Sequence, residues 1–150
     1  MHKILFVCHG NICRSPMAEC VMRDIAEKAG RSAEFEIASA ATSDEECGNP
    51  VYPPARRIMA RHGIDCSGHT ARQVTRQDFA YYDLIVCMDR NNMRNLLAMG
   101  GNQCPEKLHM LLDFTNRKAS VADPWYTGNF EDTWQNVLDG CTALFHQLTD

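Results

Sequence analysis

Residues 4–16 read Ile4-Leu5-Phe6-Val7-Cys8-His9-Gly10-Asn11-Ile12-Cys13-Arg14-Ser15-Pro16. The run Ile4 to Val7 is apolar throughout, as a strand covered on both faces of a parallel sheet is. Pro16 suits the first position of a helix, and Ser15 before it reads as that helix's cap. The segment is therefore strand, loop and helix, with a thiol where the loop begins and a guanidinium where it ends. Backbone N–H groups in such a loop converge on an anion, and the helix N-terminus adds its positive end. A cysteine facing those groups is expected as a thiolate at neutral pH. Arg14 offers a planar fork to two phosphate oxygens. A lone cysteine ending an apolar strand is usually a small buried hydrophobe. The C-x5-R-S spacing between a strand and a Pro-led helix is what points to oxyanion chemistry.

Outward from this loop, strands and helices alternate. The first strand covers residues 3–7, and the helix runs from Pro16 to about Ala29, with Met17, Val21 and Ile25 on its apolar face. Phe35 to Ala38 reads as a second strand with Ser39 at its end. Gly48-Asn49-Pro50 is a turn, and Pro53-Pro54 opens a helix closed at Gly63. Residues 64–73 form a loop holding His69, and Gln73 to Phe79 a short helix. Leu84 to Cys87 is a third strand, and Asp89 caps a helix carrying Met93, Leu96 and Leu97. Leu108 to Leu112 is a fourth strand. Residues 113–129 form a loop long enough to suggest a functional role. Phe130, Trp134, Val137, Leu138, Cys141, Leu144, Phe145 and Leu148 then mark an amphipathic helix. This alternation predicts an α/β sandwich around a parallel sheet, with ligands beyond the carboxyl ends of strands near a switch point. Cys8 and Ser39 both stand at such ends.

The 150 residues suit a single domain, 1–150, and the net charge of −4 gives no reason to expect nucleic acid or an anionic membrane as partner. No run approaches a membrane span or a signal-peptide core, which favours the cytoplasm. The eight cysteines are expected to be reduced in a chain of this length without export signals. Cys8, His9 and Cys13 lack the spacing of a zinc site, so no metal and no cofactor is expected.

Cys8 to Ser15 with Pro16-Met17-Ala18-Glu19 resembles the phosphate-binding loop of the low-molecular-weight protein tyrosine phosphatases. Ser39-Ala40-Ala41-Thr42-Ser43, Gly48-Asn49-Pro50, His69-Thr70-Ala71-Arg72-Gln73, Cys87-Met88-Asp89 and Asp123-Pro124-Trp125-Tyr126 resemble that family's other landmarks in order. The resemblance implies a three-layer α/β/α fold with a four-stranded parallel sheet ordered 2-1-3-4. It implies hydrolysis of phosphotyrosine in protein substrates, without a metal, by a monomer or weak homodimer. Cys8 is the implied nucleophile. His9, Gly10, Asn11, Ile12, Cys13, Arg14 and Ser15 are the implied phosphate loop, with Arg14 as the charged clamp.

Asp123 is the implied general acid, and near thiolate and phosphate charges a carboxylic acid holds its proton more tightly. Asn11, Ser15, Ser39 and His69 form the implied supporting shell, with Asn11 in an unusual backbone conformation bonded to Ser39 and His69. Ser15 would donate to the sulfur of Cys8. Cys13 is placed where the family can carry a cysteine that forms a reversible disulfide with the nucleophile, protecting it from overoxidation. His9, Ile12, Glu45, Trp125 and Tyr126 are expected at the substrate rim. Glu45 stands where relatives often place an aromatic, so that wall is weaker and acidic phosphopeptides are disfavoured.

Three other functions share these features. A phosphoarginine phosphatase uses the same scaffold, but those relatives carry Thr where this chain has Ile12. A thioredoxin-coupled arsenate reductase uses two further cysteines, for which Cys87 and Cys104 are spaced too widely. A non-catalytic oxyanion-binding or redox-sensing module would have no need of both Cys8 and Asp123.

Overall fold

The computed structural model describes all 150 residues. Four strands, β1 (His2–Cys8), β2 (Phe35–Ala41), β3 (Leu84–Cys87) and β4 (Leu108–Met110), form one parallel sheet in the order β2-β1-β3-β4. The order agrees with the sequence-based expectation. Each strand is separated from the next by helix, because parallel neighbours need a crossover. The helices are α1 (Arg14–Lys28), α2 (Pro53–Arg61), α3 (Arg76–Tyr81), α4 (Arg90–Met99), α5 (Pro124–Thr127) and α6 (Phe130–Thr149).

Strand β1 divides the core. Ile4, Phe6 and Cys8 point into a large cluster with Met17, Val21 and Met22 of α1 and Val137, Cys141 and Leu144 of α6. Leu5 and Val7 point the other way, toward Phe79 of α3 and Leu96 of α4. The unbroken apolar run in β1 is thus the imprint of helices on both faces. Gly140 lets α6 lie directly on the turn that follows β4, where a Cβ would collide with the side chain of Leu111. No helix is long and apolar enough to cross a membrane.

Several boundaries differ from expectation. Strand β2 continues past the expected end at Ala38, through Ser39 to Ala41, paired with Phe6 to Cys8. Strand β4 stops at Met110, and Leu111–Phe114 turn into a 3-10 helix. The short helix α3 begins at Arg76, where Thr75 and Asp78 close a capping box. Leu97 of α4 faces solvent, while Asn92 is buried and its Oδ1 accepts from the N–H groups of Met88 and Asp89. Helix α1 starts earlier than predicted, with Cys13 rather than Ser15 at the N-cap. Ser15 lies inside the helix and its hydroxyl is used elsewhere.

The expectation of eight reduced cysteines is corrected as well: Cys20 and Cys66 are joined by a disulfide. Cys20 on α1 and Cys66 in the loop after α2 are 46 residues apart in sequence, yet their Cα atoms stand 6.0 Å from each other, within bonding range. Neither sulfur is among the residues of the phosphate loop. The other six cysteines are free.

Candidate active site

The residues after β1 curl over its carboxyl end and open a pocket. Its lining comprises Cys8, His9, Gly10, Ile12, Cys13, Arg14, Glu45, Glu46, Asp123, Trp125 and Tyr126. The loop lies between β1 and α1, and the flanking strands β2 and β3 leave β1 in opposite directions. This is the switch point at which open parallel sheets bind ligands.

At the floor, the sulfur of Cys8 lies 3.3 Å from the backbone nitrogen of Asn11, which donates to it, and 3.0 Å from the hydroxyl oxygen of Ser15. The direction of the second bond follows from its neighbours. Asn11 Nδ2 donates to Ser15 Oγ at 2.7 Å and to Ser39 Oγ at 2.9 Å, while Asn11 Oδ1 accepts from the N–H of Arg72 at 3.2 Å. Ser15 therefore already accepts from the amide and has its proton free for Cys8. Ser39 in turn donates to the buried carboxylate of Glu19, which also pairs with Arg23. Asn11 has φ 60°, the only non-glycine residue with a positive value, in a region asparagine tolerates better than most. His69 Nε2 donates to the carbonyl of Asn11 at 2.8 Å, which places the ring proton on that nitrogen. The strained residue is held on both its amide and its carbonyl.

The N–H groups of Gly10, Ile12 and Cys13 have no partner within the protein. Together with the start of α1 they form the anion cradle such loops provide. Arg14 closes it. Its guanidinium is almost fully buried, donating through Nη1 to Asp89 at 2.7 Å and to the carbonyl of Val121 at 2.9 Å. Its Nη2 lies 3.4 Å from Asp123. Burial works against this charge, but Cys8, the bond to Asp89 and Asp123 outweigh it and hold the guanidinium above its ordinary value.

Asp123 caps α5, its Oδ1 accepting from the N–H of Trp125 at 3.0 Å, while Oδ2 faces Arg14. One carboxylate is thus fixed by its own turn and aimed at the clamp. Burial, followed by the charges of Cys8 and Asp123, pushes the Cys13 thiol far up. Cys13 is thereby kept protonated beside the more reactive sulfur.

The structure brings together Cys8 to Ser15, Ser39, His69 and Asp123, and it sets His9, Ile12, Glu45, Trp125 and Tyr126 around the opening. Trp125 and Tyr126 are 55% and 85% exposed, so they form an open rim rather than a closed wall. Tyr52, unnoticed in the sequence, packs on Trp125 with ring centroids 4.9 Å apart. Glu19 and Arg72, which the sequence offers only as parts of family landmarks, and Val121, which it does not signal, also brace the site. Glu19 sits four residues after Ser15 on the same helix face, which was a usable signal. The contributions of Arg72 and Val121 are backbone groups and left no trace in residue identity. Asp89 was recognised as a cap for α4 but not as the partner of Arg14. Cys87 is wholly buried, and burial first, then Asp89, raises its thiol to about 12. It is not among the residues that line the pocket.

A buried thiol, a clamped arginine and an aspartate thus surround a ring of N–H groups aimed at one point, an arrangement suited to binding a phosphoryl group. The family model described as low molecular weight phosphotyrosine protein phosphatase matches residues 3–150. The chain is 42% identical over 150 residues to the low molecular weight protein-tyrosine-phosphatase YfkJ of Bacillus subtilis, covering 99% of this chain and 96% of that one. It is 40% identical over 149 residues to the human low molecular weight phosphotyrosine protein phosphatase, covering 96% and 94%. The crystal structure of the Bacillus subtilis YfkJ superposes with a TM-score of 0.95 over 99% of this chain and 94% of that one, at 40% identity. The chain belongs to the low molecular weight phosphotyrosine protein phosphatase family.

Proposed function

We propose that this chain, as one catalytic domain, hydrolyses phosphotyrosine in protein substrates through a phosphoryl group carried on Cys8. The observation that carries this reading is the sulfur of Cys8 between two donors, Ser15 and the Asn11 N–H, at the floor of a pocket clamped by Arg14.

In the first step the Cys8 thiolate attacks phosphorus in line with the phenolic oxygen. The loop N–H groups and Arg14 neutralise the equatorial oxygens as charge moves onto them. Asp123 gives its proton to the departing phenolate. In the second step the same carboxylate takes a proton from water, the water oxygen bonds to phosphorus, and the sulfur leaves as thiolate. Ser15 and the Asn11 amide stabilise that leaving sulfur. Ile12 and Trp125 flank the path of an aromatic ring into the pocket. Cys13 is the resolving partner: peroxide turns the Cys8 thiolate into a sulfenic acid, which removes the neighbouring negative charge. Cys13 then gives up its proton and attacks the Cys8 sulfur, the hydroxyl leaves with that proton as water, and a disulfide reducible by thiols results.

The test is turnover of a phosphotyrosine peptide in the presence of EDTA by wild type, Cys8→Ser and Asp123→Ala. Loss of turnover in the first variant and a large fall in the second are expected. Wild-type rates in Cys8→Ser refute the mechanism.

A further inference from the structure

We propose that the mouth of this pocket selects phosphotyrosines flanked by lysine or arginine, with Glu45 and Glu46 as the specificity-determining residues. The inference rests on the phosphotyrosine reading above and adds the charge of the sequence around the target.

The pocket mouth is one-sided in charge. Among its lining residues Arg14 is the only lysine or arginine, and its guanidinium is buried against Asp89 and Asp123. A substrate residue next to the phosphotyrosine meets neither. The groups it meets at the mouth include Glu45, Glu46 and the exposed rings of Trp125 and Tyr126. His9 is the only further rim group able to carry positive charge, and it faces Glu45 at 3.5 Å.

The two glutamates stand on a well-held loop. The N–H groups of Thr42 and Ser43 donate to the carbonyls of Cys8 and His9, tying the start of the loop to the phosphate loop itself. The N–H of Gly48 donates to the carbonyl of Ala71, and Ser43 Oγ accepts from the N–H of Glu45 at 3.0 Å. Glu46 accepts from Asn49 Nδ2 at 2.6 Å and lies against Gly10, so that a Cβ on Gly10 would meet its Cγ at 3.4 Å. The carboxylate of Glu46 is fixed beside the cradle. That of Glu45 is 70% exposed and opens outward.

Phosphate deep in the loop leaves the tyrosine backbone at the rim, so its sequence neighbours pass over these carboxylates. A lysine or arginine there gains Coulomb attraction to two negative charges, and an arginine also finds aromatic faces to stack on. An acidic neighbour is repelled twice. At water-like screening each carboxylate is worth about a threefold change in kcat/KM, and more where the substrate excludes water.

The experiment compares kcat/KM for phosphotyrosine peptides of one length with lysine or arginine, alanine, or aspartate beside the target, at low and high salt. The basic peptides are expected to exceed the alanine ones by about tenfold at low salt and the acidic ones by more, with both ratios shrinking as salt screens the rim. Both ratios are expected to fall toward one in the Glu45→Gln, Glu46→Gln double variant. Equal rates for basic and acidic peptides, or a ratio that persists in the double variant, overturn the inference while leaving phosphotyrosine hydrolysis standing. Turnover of a small aryl phosphate with none of any peptide overturns the protein-substrate reading, and this inference with it.

Discussion

Asp89 accepts from Arg14 Nη1 at 2.7 Å and, through its other oxygen, from the N–H of Asn92 at 2.8 Å. One side chain therefore both starts α4 and aims the phosphate clamp. Removing it leaves a buried guanidinium with the Val121 carbonyl and the more distant Asp123 as its remaining protein partners. Asp89→Ala is expected to lower kcat/KM by tenfold or more and to cost about 1 kcal/mol through the lost cap. Asp89→Asn keeps the cap and loses the charge, so thermal unfolding with steady-state kinetics separates the two roles. A fully active Asp89→Asn variant would show that the ion pair does not position Arg14.

Ser15 has the only hydroxyl proton directed at Cys8. Ser15→Ala removes one hydrogen bond to a charged sulfur, about 1.5–3 kcal/mol, which is about a 10- to 150-fold loss of rate. The loss should fall mainly on breakdown of the phosphoenzyme, where sulfur is the leaving group. Pre-steady-state kinetics with an aryl phosphate should then show a larger burst than in wild type. A reduced burst with unchanged breakdown would place the hydroxyl in the first step instead.

The site was only partly legible in the sequence. Cys8 and Arg14 stand out in one local string, C-x5-R between a strand and a helix, whereas Asp123 in its Asp-Pro turn is singled out only through the family resemblance. The fold was legible from local pattern: β1 is apolar on both faces, and α6 carries one uninterrupted apolar stripe. What stayed hidden arises from chain segments meeting at a distance. Nothing near Asp89 signals Arg14, 75 positions earlier. The Arg72 N–H that donates to Asn11 has no side-chain signature, and β2 runs past Ser39 because Ala40 and Ala41 pair with β1 as readily as larger residues.

The Cys20–Cys66 bond is the clearest case of the hidden kind. It fastens α1 to the segment that carries His69 and Arg72, both of which hold Asn11. Closing a loop of this size removes unfolded-state entropy worth about 4 kcal/mol. Cys20→Ser/Cys66→Ser, or mild reduction, is expected to lower the thermal midpoint by several degrees, with a smaller effect on kcat. Calorimetry with and without a dithiol checks this. An unchanged midpoint would mean the bond adds nothing to stability.

Three buried thiols shape alkaline stability. Burial raises Cys13, Cys87 and Cys141, with Cys87 brought to about 12 from an ordinary 9.0. The folded state thus keeps protons that the unfolded chain gives up above pH 9. Stability is full below that pH and falls as pH rises toward the folded value, by about 1.4 kcal/mol per pH unit for each thiol. Denaturant midpoints measured across this range should fall less steeply in Cys141→Ala than in wild type. Parallel slopes would contradict the assignment.

The covalent intermediate is the central claim, and a rapid acid quench of Asp123→Ala turning over p-nitrophenyl phosphate tests it most directly. The good leaving group needs no proton, so the first step proceeds while the second lacks its base. Mass spectrometry of the quenched protein should find one phosphoryl group on the peptide bearing Cys8, and none in Cys8→Ser. Phosphate on another residue, or steady turnover by Cys8→Ser, would contradict the account.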